Sequence, residues 1–598
     1  MVFRSACALG ILSLTSLPVA ASSGAVELAP VAREPAPIEQ RDLNSLSGFY
    51  LAGRQAGISK DLSSAAGFYS AALQKDPDNP QLLDRALLLN VASGNVTRAA
   101  ELAGPLLEDD PNDQLARLAR GVHAFRAGDR EKANADFEAI ASLNGPVQQL
   151  MGTLLRAWVM ADEGRPARAS SLLDQLDSRA SLGGITPLHA GLIADAAGLF
   201  EVSKEKLSVA YNQEPQNLRV MEAYARTLAR AGDKEQALKV VGAYQSRSRA
   251  VSELIAKLKS DIEAGDVAPL VADARAGMAE ALYGLSSLGR QSSIRENTFS
   301  AAFLQLALFL TPNAEFPALA LGGVFESIEQ YQAAIDVYST IANSSPLARE
   351  GQMQAAINLT IMKRHDEAIA RLAALVEADE TDVGAATTLG NVHRSLEHYD
   401  KAAEVYGSVI DQLGTVPQHF WTLLYYRGIA NERLGNWKEA EKDFRQALEL
   451  SPEHPLVLNY LGYSYIDRGE NLDEAIAMVR RAVEQRPDDG YIVDSLGWAY
   501  YRLGEFEKAV RQLERAATLR PGDPVINDHL GDAYWKVGRK LEATFQWAHA
   551  RDNDPEPKEL AKILRKLEVG LDSFEAETAE APATKAADAS GEATTTAQ

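Results

Sequence analysis

The chain has 598 residues, 46% of them hydrophobic and only 7% aromatic, with a formal net charge of −22. That length calls for several domains or for internal repetition. The acidic balance argues against nucleic acid as a partner, since phosphate binding needs clustered Lys and Arg. The single cysteine, Cys7, excludes a disulfide framework and a thiolate metal site.

Residues 1–21 read as a secretory signal. Arg4 supplies a positive n-region, Ala6 to Leu17 is apolar, and Val19-Ala20-Ala21 offers small residues for cleavage before Ser22. The apolar stretch is too short for an ordinary membrane span; an uncleaved anchor is the alternative. Cys7 lies inside this segment, ahead of its apolar core, a poor place for bacterial lipidation. Export to the periplasm or envelope is therefore expected. Residues 22–41, with Pro30, Pro35 and Pro37, are expected to form a flexible linker.

Two blocks of helical repeats are expected next, over 42–245 and 276–556. Between them, residues 246–275 fit the period poorly and read as an irregular repeat or as a joint. Lys558 to Val569 places Leu560, Ile563, Leu564 and Leu567 at helical spacing, which predicts a capping helix over 557–571. Residues 572–598, rich in Ala, Thr and acids, are expected to be a disordered acidic tail.

The blocks are recognised by a period. Leu461-Gly462-Tyr463, Leu496-Gly497-Trp498 and Leu530-Gly531-Asp532 recur at 34 to 35 residues. Ala509 and Ala543 follow the two later glycines by twelve, Ala516 and Ala550 come seven further on, and Pro521 and Pro555 five beyond those. Small residues at the glycine place recur backwards through Gly428, Gly390, Ala356 and Gly322, and from Ala225 to Gly53. A fixed period of this length marks a helix–turn–helix solenoid, here of about fourteen repeats. Small residues let two antiparallel helices, A and B, approach closely. Proline stops B because it lacks an N–H and restricts its predecessor.

These positions resemble the tetratricopeptide repeat, most specifically through Asn459–Tyr463, Asp489–Trp498 and Ile526–Trp535. The resemblance implies an all-α right-handed superhelix that binds peptides or proteins in a concave groove. The same runs are similar to exported alphaproteobacterial tetratricopeptide proteins. More distantly they resemble an outer-membrane lipoprotein adaptor that recruits a C-terminal processing protease. In this family the groove is lined by A-helix positions six and three before the small residue and one, four and five after it. Carried over, these include Tyr425, Arg433, Asn459, Tyr463, Tyr491, Asp494, Trp498, Tyr501, Arg502, Asp528, Asp532, Trp535 and Lys536. Aromatics and Arg dominate interface energetics, so this run is expected to be a partner-binding surface; the competing reading packs several of these rings between repeats or under the cap.

Chaperone-binding relatives hold a terminal carboxylate with basic residues at places that here carry Asp494, Asp528 and Asp532. A partner of basic or mixed charge is therefore expected, such as an envelope protease or assembly complex. A scaffold of polysaccharide synthesis or export is the alternative. No zinc-binding His pair, phosphate-cradling loop or nucleophile elbow is legible, so neither enzyme activity nor a cofactor is expected.

Overall fold

A computed structural model describes residues 45–177, 184–248, 253–287 and 294–580. The expected signal, the linker and the final acidic residues lie outside them. The described residues are helical, and the chain divides into two compact units, Met1–Leu375 and Val376–Gln598.

Unit 1 opens with six antiparallel pairs. The first three are α1 (Leu46–Ile58) with α2 (Leu62–Leu73), α3 (Pro80–Ala92) with α4 (Val96–Asp109), and α5 (Gln114–Ala127) with α6 (Arg130–Ala141). The next three are α7 (Pro146–Asp162) with α8 (Pro166–Asp177), α9 (Ile185–Ala196) with α10 (Phe200–Gln213), and α11 (Leu218–Arg230) with α12 (Lys234–Ser248). A lone helix, α13 (Glu253–Ala264), leans on α11 and α12. Three further pairs follow: α14 (Ala274–Ser286) with α15 (Ile294–Leu310), α16 (Glu315–Ser327) with α17 (Tyr331–Tyr338), and α18 (Ala348–Ile361) with α19 (His365–Ala378).

Unit 2 holds α20 (Val383–Ser395) with α21 (Tyr399–Leu413), α22 (Trp421–Arg433) with α23 (Trp437–Leu450), and α24 (Pro455–Arg468) with α25 (Leu472–Gln485). Then come α26 (Gly490–Arg502) with α27 (Phe506–Leu519) and α28 (Pro524–Lys536) with α29 (Lys540–Asp552). The unit ends in α30 (Pro557–Val569) and α31 (Leu571–Glu580).

Local chemistry sets these ends. The Asp523 carboxylate accepts from the backbone N–H of Val525 and Ile526 at 3.0 Å each, and Pro524 sits where a missing N–H costs nothing. The repeat glycines work by contact. A Cβ on Gly497 would lie 2.6 Å from Leu513 Cγ, and one on Gly531 2.5 Å from Trp547 Cδ1. Ala509, Ala516, Ala543 and Ala550 are fully buried beside them. Trp547, itself fully buried, contributes roughly 2–3 kcal/mol in the gap so made.

The division between units falls inside α19, away from the 246–275 joint. Its cause is a fold-back within unit 1. Helices α14 and α15 lie along the A helices α3, α5, α7 and α9. Gly277 seats on the Trp158 indole, Gln305 fills the space beside the Gly94 turn, and Arg126 covers the Phe309 ring at 4.2 Å. The largely buried Arg219 of α11 holds Glu280 of α14 at 2.7 Å and Glu222 at 2.8 Å. Lys60 pairs with Glu329 at 2.6 Å, so the first repeat meets the turn after α16. Residues after the joint are thereby tied to repeats before it. Unit 1 fills its own concave face.

The stretch expected to be a tail from residue 572 begins instead as α31. Gly570, at φ +79, ends α30, and Leu571 and Phe574, one turn apart, find apolar cover in the core of unit 2.

Candidate interaction groove

The central part of the unit 2 groove is built on α22, α24 and α26. Tyr425 is half-buried in an aromatic cluster, with ring centroids 6.0 Å from Trp421, 6.0 Å from Tyr460 and 6.1 Å from Phe444. In the last turn of α22, Arg433 lies beside Tyr460, Glu432 and Tyr399. Burial opposes its charge, and those neighbours more than restore it. Tyr463 is buried on α24, and its phenol is pushed well above the ordinary range, first by burial and then by Asp494 and Asp467. Arg502 and Arg433 oppose that shift. Charged groups of three consecutive A helices therefore converge on one ring. At the rim Arg502 and Asp467 pair at 3.3 Å, and both are exposed.

The next layer is a joint between repeats. Trp498 stacks on Tyr501 at 4.7 Å and 8°, and on His529 of the next repeat at 4.0 Å and 15°. Asp494, 3% exposed, takes His529 Nδ1 at 3.0 Å. Burial disfavours a charged His529, but the adjacent Asp494 outweighs it and raises the pKa. Asn459 Oδ1 and Trp498 Nε1 are enclosed without a hydrogen-bond partner among the described residues. Such enclosed polar atoms are uncommon in folded proteins and ask for a reason. Tyr491 is half-buried under the Arg520 guanidinium, 5.0 Å away. Asp494 and Trp498 thus serve inter-repeat packing as much as the groove.

The last repeat is covered by the chain itself. Lys566 of α30, 5% exposed, reaches Asp528 at 2.8 Å and Asp532 at 2.7 Å. Burial opposes its charge, and the two carboxylates override it and raise the pKa. Asp532 is pushed up to about 6, chiefly by burial and against the pull of Lys566. It also accepts from Trp547 Nε1 at 2.9 Å. Trp535 Nε1 donates to Asp572 at 2.9 Å. Lys536 holds Glu575 at 2.5 Å, and the Tyr501 hydroxyl donates to Glu575 at 3.3 Å.

The thirteen expected groove residues therefore fall into three settings. Tyr425, Arg433, Asn459, Tyr463 and Arg502 meet along the face of α22–α26. Tyr491, Asp494 and Trp498 support the repeats on either side. Tyr501, Asp528, Asp532, Trp535 and Lys536 lie beneath α30 and α31. Sequence reasoning missed Lys566, Asp572 and Glu575, and no sequence pattern pairs His529 with Asp494. One signal for Lys566 was present: it stands three residues after Ile563 and next to Leu567, on the apolar face of the capping helix.

Among the described residues no group of His, Cys, Asp or Glu is arranged to hold a metal, and no helix is long and apolar enough to cross a membrane. A shallow polar cleft of about 260 Å³ in unit 1, lined by Ser70, Asn90, Ser93 and Arg98 among others, contains no His, Asp or Glu to act as a base.

Residues 86–147, 387–455, 425–490, 461–524 and 495–557 match the family model of the tetratricopeptide repeat. Over those stretches the chain carries tetratricopeptide repeats, and its described residues form a run of antiparallel helix pairs. Such repeats serve as protein-binding scaffolds. Among solved structures, a tetratricopeptide repeat protein from Parabacteroides merdae is 19% identical, over 41% of this chain and 93% of that one, with a TM-score of 0.34. The Cut9–Hcn1 hetero-tetramer of the APC/C is 13% identical over 88% of this chain and 96% of that one, with a TM-score of 0.36. MamA from Desulfovibrio magneticus is 19% identical over 27% of this chain and 94% of that one, with a TM-score of 0.24. No curated protein matches the chain.

Proposed function

We propose that the protein is a non-enzymatic interaction scaffold of the cell envelope that holds a peptide or protein partner along the concave face of α22, α24 and α26. One observation carries this reading. Three adjacent A helices bring Tyr425, Tyr463, Arg433, Asp467 and Arg502 onto one face, and no other helix of unit 2 lies along that stretch among the described residues. A half-buried aromatic, Tyr425, and a buried one, Tyr463, beside charged rim groups are what a specific interface uses, with affinity from the rings and register from the charges. The mixed charge of Asp467 and Arg502 suits an extended partner carrying both signs. The envelope location rests on the signal-like residues 1–21.

The test is capture of partners from envelope extracts with wild type and with Asp467→Ala/Arg502→Ala. Recovery of the bound partner should drop at least about tenfold, the effect of losing one hot-spot contact. Equal recovery by the folded variant would remove this face from the binding site. N-terminal sequencing of the mature protein should begin at Ser22, and an intact Met1 would overturn the location.

A further inference from the structure

The contacts of α31 differ in kind from those of a cap. Helix α30 already covers the end of the stack, with Ile563 and Lys566 buried. By contrast α31 lies over A-helix side chains of the last two repeats. Among its described side chains only Leu571 is fully buried, and Phe574 is half-buried near the Lys566 ammonium, 5.7 Å from its ring centre. Among the described side chains everything else that holds it is polar, including a two-pronged pair from Arg565 of α30 to Glu577 at 2.9 and 2.5 Å. Asp572 takes the Trp535 indole N–H and lies 3.6 Å from Lys540 and 3.9 Å from Lys536. Glu575 takes Lys536 and the Tyr501 hydroxyl. Lys540 also stands over the Trp535 ring at 4.3 Å.

The face beneath α31 therefore consists of donors: an indole N–H, a phenol O–H and two ammonium groups. Asp528 and Asp532 of the groove floor are felt at the Tyr501 phenol, but both are paired with the buried Lys566, at 2.8 and 2.7 Å. In a chain of net charge −22 this is a local basic surface that selects carboxylates. Its present occupant is weakly held. A helix of ten residues is marginal in isolation. Its carboxylates are also exposed, Asp572 at 64% and Glu575 at 46%, so water and salt weaken each pair.

We propose that this face of α26, α28 and α29 is a docking site for an acidic helical segment of a partner protein, which α31 occupies in cis until that segment displaces it. The proposal rests on the reading of unit 2 as an interaction groove and specifies what binds at its C-terminal end. The segment would carry an apolar pair one turn apart, as Leu571 and Phe574 are, and two carboxylates one turn apart beside it, as Asp572 and Glu575 are. At this end the partner is acidic, the reverse of the charge expected from Asp528 and Asp532. Because α31 is tethered, it competes at an effective concentration on the order of millimolar, which lowers the apparent affinity of any free segment.

The test uses the full-length chain and a labelled synthetic peptide of residues 570–580, followed by fluorescence anisotropy. Full-length Asp572→Lys/Glu575→Lys, with its own helix repelled, should bind the peptide at least tenfold more tightly than wild type does. Adding Lys536→Gln/Lys540→Gln should remove at least tenfold of that affinity, and a peptide carrying the same two Lys substitutions should not bind. Asp572→Asn/Glu575→Gln should give the same ranking with a smaller ratio, and circular dichroism verifies that each variant is folded. Equal affinity in wild type and the opened variant, no binding to the opened variant, or indifference to Lys536 and Lys540 would each overturn the proposal. Partner loss in Asp467→Ala/Arg502→Ala combined with any of those results would sink this inference and leave the groove reading intact.

Discussion

The two units are built on one repeat and use their concave faces in opposite ways. In unit 1 the A-helix face is filled by the chain's own α14 and α15, and the contact is sealed by ions out of water: Arg219 bridges Glu222 and Glu280, all three largely or wholly buried. In unit 2 the face of α22–α26 carries aromatics and an exposed ion pair, and among the described residues only the last repeat is covered, by a short helix held through exposed pairs. A solenoid face left to solvent must be made of side chains that tolerate water. A face filled in cis can bury charge, provided the incoming helix brings the counterion. On the proposed reading, unit 1 is structural and unit 2 binds.

The largest expected effect comes from removing the cation of the receiving face that the α14 carboxylate meets. Arg219→Met leaves Glu280 buried without its cation, while Glu222 keeps Arg226 at 2.8 Å, and should destabilise unit 1 by about 3–5 kcal/mol. Trp158 lies in unit 1 and the other five of the six tryptophans in unit 2, so a variant retaining only Trp158 reports on unit 1 by fluorescence during chemical denaturation. A comparable shift seen from the unit 2 tryptophans would break the comparison.

Next comes pH, where the units should respond with opposite sign. His189 in unit 1 is fully buried and accepts the Trp158 indole N–H on Nδ1 at 3.2 Å, and burial lowers its pKa to about 4. The folded state resists a proton that the unfolded chain accepts near 6.5. Its contribution is therefore whole above pH 6.5 and is lost as pH falls toward 4, to a total of about 3 kcal/mol. His189→Asn, which keeps an acceptor, should flatten that decline; an unchanged slope would show that His189 is not its source. In unit 2 the raised pKa of His529 gives the reverse. Its contribution is whole below pH 6.5 and is lost as pH rises through the folded-state value. His529→Asn should weaken unit 2 most at low pH, and NMR titration of the imidazole would detect a lowered pKa that contradicts this.

The smallest effect on stability is expected where the largest effect on binding is. Asp467→Ala/Arg502→Ala should change the melting free energy by no more than about 0.5 kcal/mol, as exposed pairs do, while partner recovery falls. A large loss of stability would move this pair from the interface to the scaffold.

Much of the fold was legible because its determinants are local. Gly497 and Leu513, or Gly531 and Trp547, belong to one helix pair, so the close approach that demands glycine leaves a mark at fixed spacing. The groove positions were legible as places on a helix, but what meets them was not. Trp498 stacks on a histidine of the following repeat, and Trp535 is met by Asp572, 37 residues away. The acidic composition after Leu571 read as disorder because a helix held by two apolar anchors and a few exposed pairs scarcely differs in composition from a solvated tail.

By itself, then, the sequence determined the repeat: its period, its helix ends and its small residues. Those follow from packing between neighbours close in the chain, where each contact leaves a local pattern. Only the tertiary structure decided which inward face is filled. Arg275 reaches the Arg126 carbonyl across 149 residues, and α15 packs along α3 through contacts that recur nowhere else among the described pairs. A contact made once has no period, and burial of a helix in a groove depends on the shape that many repeats accumulate together.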